Sequence, residues 1–135
     1  MKYLLDTNAC IRFLRSPIAS PIAQRLLTYR SSEVGICSIV RLELMFGAWR
    51  SKQSVVNVPQ VMAFCDGLPS LPLDDKVADV AARIRALLAT SGCSIGPYDV
   101  LIAATALVNG VVLVTHNVSE FQRVQGLSIQ DWELP

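Results

Sequence analysis

The chain has 135 residues, 52% of them apolar and 17% charged, with a formal net charge of +1. That length predicts one domain over residues 1–135, able to bury about two thirds of its unfolded surface, and the composition excludes a disordered chain. No run of about eighteen apolar residues occurs, which argues against a membrane-spanning helix, and Asp6 and Asn8 interrupt the N-terminal apolar run too early for a signal peptide, so the expected location is the cytoplasm.

The small net charge hides an asymmetry. Residues 1–52 carry eight Lys/Arg against three acids, whereas residues 53–135 carry four against eight. A basic face suits a phosphate backbone, although a solvated helical surface has the same signature.

In chain order, KYLL (2–5) reads as a short buried strand, and residues 7–15 as a helix with Ile11 and Leu14 on its inner face. A turn signal at SPIASP precedes a second amphipathic helix, with Ile22, Leu26 and Leu27 inward. VGICS (34–38) is a second strand. Ser38 then caps a helix to about Lys52, on which Ile39, Leu42, Phe46 and Trp49 recur at helical spacing. Residues 54–67 read as helix with a break at Pro59.

LPSLPL is a brief extended segment. Asp74 or Asp75 caps a helix over about 75–90, with Val77, Val80, Ala81, Ile84, Leu87 and Leu88 as its buried stripe. GPYDVLIAATALVNG is a helix punctuated by Pro97 at its start and Gly110 past its end. VVLVT (111–115) is a strand, and GLSIQDW holds a last one. Alternating strands and helices predict an α/β fold: a three-layer α/β/α sandwich around a mainly parallel sheet of about five strands.

Cys10, Cys37, Cys65 and Cys93 form no C-x-x-C pair, and each lies among apolar residues. They read as small buried hydrophobes in a reducing compartment. The one histidine, His116, is far from all four in sequence, which disfavours zinc.

Parallel sheets bind ligands outside the carboxyl ends of their strands. Asp6, Ser38 and Asn117 fall at such ends, and Glu43 and Asp99 ride on helices that start there. Each acid has a purely structural alternative. Asp6 caps a helix, Asp99 complements the positive terminus of its helix, and Glu43 faces water. Together they converge on one edge, where like charges repel unless a cation lies between them. All-oxygen donors suit Mg²⁺, with Mn²⁺ as a substitute. The chain has no paired Ser–His or Cys–His signature, so metal-assisted phosphodiester hydrolysis is the chemistry that fits.

LLDTN at 4–8, SIVRLELMFGA at 38–48, IRALLATSG at 84–92, IGPYDVLIAATAL at 95–107, VTHNVSEFQRVQGL at 114–127 and DW at 131–132 span almost the whole chain. In order and spacing they resemble the PIN-domain ribonucleases, and within them the VapC toxins of type II toxin–antitoxin systems. IGPYD and NVSEFQRVQGL are most similar to the subgroup that cuts initiator tRNA in the anticodon loop. The resemblance implies that Asp6, Asp99 and Glu43 bind the metal, with Asn117 at a position often acidic in the family and Glu120 reaching the ion through water. It also implies supporting roles for Thr7 and Ser38, a phosphate contact for Arg85, and no need of His116 as a general base. The implied partners are RNA, which in that subgroup is tRNA, a second copy forming a homodimer, and a VapB-like antitoxin. The antitoxin's C-terminal helix would lie in a groove by helix 39–50, giving a toxin–antitoxin hetero-oligomer.

Three other readings compete. Asn117 fits a degenerate PIN domain that binds RNA without cutting it. A receiver-like phosphoacceptor at Asp6 lacks the late lysine, because none follows Lys76. A haloacid-dehalogenase-type phosphatase needs a second aspartate where the chain has Asn8.

Overall fold

The computed structural model describes residues 1–135. Strand β1 (Tyr3–Leu5) leads to helices α1 (Thr7–Arg15) and α2 (Pro21–Leu27), then β2 (Val34–Cys37), α3 (Ser38–Arg50) and α4 (Ser54–Asp66). The edge strand β3 (Ser70–Leu71) leads through α5 (Asp75–Thr90) and α6 (Pro97–Asn109) to β4 (Val112–Val114), the short α7 (Val118–Phe121) and β5 (Ile129–Gln130).

All five strands are parallel, in the order β3-β2-β1-β4-β5, with Tyr3 level with Val34 on one side and Val112 on the other. β1 and β2 are buried along their whole length, which is why they read as unbroken apolar runs rather than alternating ones. The right-handed rule for parallel crossovers calls for helices on both faces of the sheet, because the chain reverses its direction of travel after β3. The order reverses between β1 and β4, so the crevice at their carboxyl ends is the topological switch point. Asp6 stands there.

Several expected faces differ. α3 buries Ile39, Val40, Leu44 and Ala48, and leaves Leu42, Phe46 and Trp49 exposed. This helix is apolar all round, so spacing alone does not choose the inner side. α1 buries Ala9 and Cys10 rather than Leu14, and Leu27 of α2 is exposed, as is Leu87 of α5.

α4 runs through Pro59 without a break. The bond that proline forfeits would have gone to the carbonyl of Val55, an exposed residue whose freed oxygen water satisfies. Cys37, not Ser38, is the cap residue of α3, and no side chain caps it. Cys10, Cys37 and Cys65 are buried as expected, whereas Cys93 is exposed in the turn after α5. Gly110 ends α6 in the left-handed region at φ +62°, the conformation that favours glycine at this position. No helix is long and apolar enough to cross a membrane.

Candidate metal centre

Asp6 leaves β1 with its backbone N–H on the carbonyl of Val114, 3.1 Å away, which locks it between the two central strands. Its Oδ1 accepts the N–H of Ala9 at 2.7 Å, so it does cap α1, yet the residue is only 3% exposed. A cap alone does not require such burial. Burial pushes the Asp6 carboxyl up to about 6, and the negative charges of Asp99 and Glu133 add to the effect. The Thr115 hydroxyl and the Ala9 N–H pull the other way.

Asp99, in the first turn of α6, is half-buried and raised by burial, then by the charges of Glu43 and Glu120. Glu43 Oε1 accepts the Thr7 hydroxyl at 2.7 Å, which joins α3 to the start of α1. Glu120 Oε2 accepts Asn117 Nδ2 at 2.8 Å, and the Asn117 N–H is held by the Thr115 hydroxyl at 3.0 Å. Asp99 is thus the hub: its charge reaches Asp6, and those of Glu43 and Glu120 reach Asp99, which links acids from four separate stretches. None has a Lys, Arg or His in salt-bridge distance, although Arg12–Glu133 and Arg41–Asp66 pairs form elsewhere. Four carboxylates without a counter-charge, all oxygen donors, fit a hard divalent cation.

The structure does not gather every expected residue. The Ser38 hydroxyl turns toward the carbonyl of Leu71, at 3.5 Å, and makes no bond to the carboxylates. Arg85 lies on α5 beside a shallow hollow of about 130 Å³ with Leu88, Ile95 and Pro97, and it is not among the charges acting on Asp99. Thr115 and Glu133 were not expected. Both follow the ends of β4 and β5, where the strand-end rule that singled out Asp6 applies equally.

Outside this cluster, His116 Nδ1 meets Asp131 Oδ2 at 2.9 Å and Glu133 Oε2 at 3.8 Å. These three groups lie within 4.8 Å of one another, but Glu133 is paired with Arg12, and both carboxylates draw the His116 ring toward its protonated form. That separates them from the four uncompensated acids.

Beside Glu43 a groove of about 320 Å³ runs between α1, α3 and α4, lined by Ile11, Leu14, Leu44, Gly47, Ala48 and Val61 among others. The exposed Phe46, Trp49, Val55, Val56 and Met62 of α3 and α4 add a large apolar surface.

A profile of the PIN domain family matches residues 3–127. The chain is 38% identical over 132 residues to the tRNA(fMet)-specific endonuclease VapC of Salmonella typhimurium, covering 98% of each chain. It is 31% identical to Ribonuclease VapC2 of Rickettsia felis, covering 98% of this chain and 99% of that one. Among solved structures it is similar to the toxin in DNA-bound VapBC from Salmonella typhimurium, with a TM-score of 0.90, 38% identity and 98% of each chain covered. VapBC-1 from nontypeable Haemophilus influenzae gives a TM-score of 0.86 at 30% identity, again with 98% of each chain covered. The chain thus belongs to the PIN domain family, in its VapC branch.

Proposed function

We propose that the chain, acting as one PIN domain over residues 1–135, is a Mg²⁺-dependent endoribonuclease, the toxin of a type II toxin–antitoxin pair, working in the cytoplasm. The observation that carries this reading is Asp6 at the switch point of the sheet, within reach of Asp99's charge, with Glu43 and Glu120 acting on Asp99 and none of the four paired with a cation. Asp6, Asp99 and Glu43 would hold the ion directly and Glu120 through water, with Mn²⁺ able to replace Mg²⁺. A bound divalent ion supplies Lewis acidity, which activates water and stabilises charge on a phosphoryl oxygen.

The chain's own groups do the positioning. Thr7 holds Glu43 in one rotamer through its hydroxyl, and Ala9 fixes one oxygen of Asp6. Asn117 orients Glu120 through its amide, an uncharged substitute for the acid common at that position. The relatives named for tRNA(fMet) support tRNA as the substrate, and the anticodon loop is the place of the cut that we propose. Incubation of the purified protein with total tRNA and Mg²⁺, then mapping of the new ends, tests the activity and the substrate together. Cleavage that persists in EDTA, or none with Mg²⁺, would contradict the reading.

A VapB-like antitoxin is the proposed partner, its C-terminal helix seated in the groove between α1, α3 and α4 and reaching Glu43. The related structures of VapBC support an antitoxin partner, and in the proposed assembly two copies of the chain form a homodimer. Gly47 offers a clean test, since a Cβ there meets nothing within 4 Å. Gly47→Trp is expected to keep the fold and weaken antitoxin binding about a hundredfold, roughly 2.7 kcal/mol, by calorimetry. Unchanged affinity would move the helix elsewhere.

A further inference from the structure

Arg12 and His116 both pair with Glu133, whose charge reaches Asp6, and Asp131 and Glu133 favour the protonated form of His116. Arg12 of α1 forms an ion pair through Nε with Glu133 Oε1 at 3.2 Å, and its Nη nitrogens make no hydrogen bond within the protein. His116 gives Nδ1 to Asp131 Oδ2 at 2.9 Å, and its Nε2 has no protein partner. Their side chains are 64% and 61% exposed, yet the carboxylates that hold them are only 17% and 10% exposed.

Those carboxylates are rigidly placed. Trp132, between them in sequence, is buried, stacks on Tyr29 at 5.3 Å and 14°, and donates Nε1 to Gln130 Oε1 at 3.0 Å. The Glu133 N–H in turn bonds Asp131 Oδ1 at 3.0 Å. The position relative to the centre is set by backbone. Asp6 N–H reaches Val114 O, the Thr115 N–H reaches Gln130 O at 2.9 Å, and His116 is the next residue. Asn117, the residue after it, binds Glu120.

The geometry points to Arg12 and His116 as a pair of phosphate-contacting residues for RNA, each aimed by a carboxylate of the segment after β5, with Glu133 and Asp131 as positioning residues. Surface ion pairs of this exposure add little stability. The Nη groups of Arg12 and, in the protonated ring, Nε2–H of His116 are free to meet a polyanion. Four clustered carboxylates repel a phosphodiester backbone, and cations at the rim offset that repulsion on the approach to the metal. Asp131 and Glu133 lower the net positive charge of the rim, so their value lies in direction rather than attraction.

The inference takes RNA as ligand from the proposed function, and its test is separable from cleavage. The probe is a fluorescein-labelled RNA hairpin with an unpaired loop, bound to the full-length Asp99→Asn protein and followed by anisotropy across a salt series. Arg12→Gln and His116→Gln should each weaken binding about tenfold and flatten the slope of log K against log salt by about 0.7, one single-stranded phosphate contact each. Glu133→Gln removes a negative charge, so charge counting predicts tighter binding, whereas aiming predicts binding several-fold weaker.

A purely structural tie would shift the melting temperature and leave the salt slope alone. Unchanged slopes in Arg12→Gln and His116→Gln, or no binding by the parent, overturn the pair. Tighter binding by Glu133→Gln overturns the positioning role. If these binding changes appear but the wild type fails to cut RNA, the nuclease reading falls and the pair stands. If cleavage proceeds with unchanged slopes, the reverse holds.

Discussion

Asp99→Asn is expected to lower RNA cleavage by about a thousandfold or more, roughly 4 kcal/mol of transition-state stabilisation. Asp99 sits at the start of α6, half-buried, and carries negative charge that Glu43 and Glu120 oppose. The amide keeps its size and its place in the first turn, so the fold should survive. What it loses is a charged oxygen donor for the divalent ion. Thr7→Val should cost about ten- to a hundredfold, because it frees Glu43 from a 2.7 Å bond without removing any ligand. Initial rates on the mapped RNA substrate check both. Equal rates for wild type and Asp99→Asn would remove the proposed chemistry.

The second large effect is on stability, and it runs opposite to activity. The folded-state value of Asp6 is raised to about 6, above its ordinary 3.8. Between those values the folded protein keeps a proton that the unfolded chain has released. Metal-free stability therefore falls as pH rises from about 4 to about 6 and is level above that, a loss on the order of 3 kcal/mol. Asp6→Asn removes the buried charge while its side-chain oxygen still accepts the N–H of Ala9.

At neutral pH without metal, the variant should melt roughly 5–10 °C above the wild type, with little of the pH slope. Saturating Mg²⁺ should narrow the gap by stabilising only the wild type. Thermal melts at several pH values, with EDTA or with Mg²⁺, measure all of this. A variant less stable than wild type in EDTA would mean that Asp6 serves mainly as a cap.

Such an inversion is expected where function opposes burial, and it explains what the sequence made legible. KYLL ending on Asp6 conflicts with an apolar core, and that conflict marks the candidate site in the sequence itself. Asp99 and Glu43 were legible for the same reason, as acids within apolar helices. The faces of α3 were not, because Leu42, Phe46 and Trp49 are as apolar as Ile39, Val40 and Leu44, and only tertiary packing separates the two sets. The exposed set is what a partner would cover, so the ambiguity itself carries function.

Pro59 misled for a local reason: the bond it forfeits faces water. Ser38 misled because a hydroxyl after a strand suggests a cap, whereas here the helix starts one residue earlier. Thr115, Glu133 and Arg12 are not legible in the sequence because their meeting depends on β5 pairing with β4 and on Trp132 packing against Tyr29. Neither contact is local. Asp131 and Glu133 nevertheless follow a strand end, and treating the short β5 like β1 would have found them.

The central claim, that these acids gather to hold a divalent ion, is tested most directly by titrating Mn²⁺ into metal-stripped protein by calorimetry. Binding at about pH 7.5 should weaken about tenfold at about pH 5, as Asp6 takes up its proton, and should be lost in Asp99→Asn. Equal affinity in the wild type and Asp99→Asn at both pH values would show that the carboxylates at the switch point are not the metal centre.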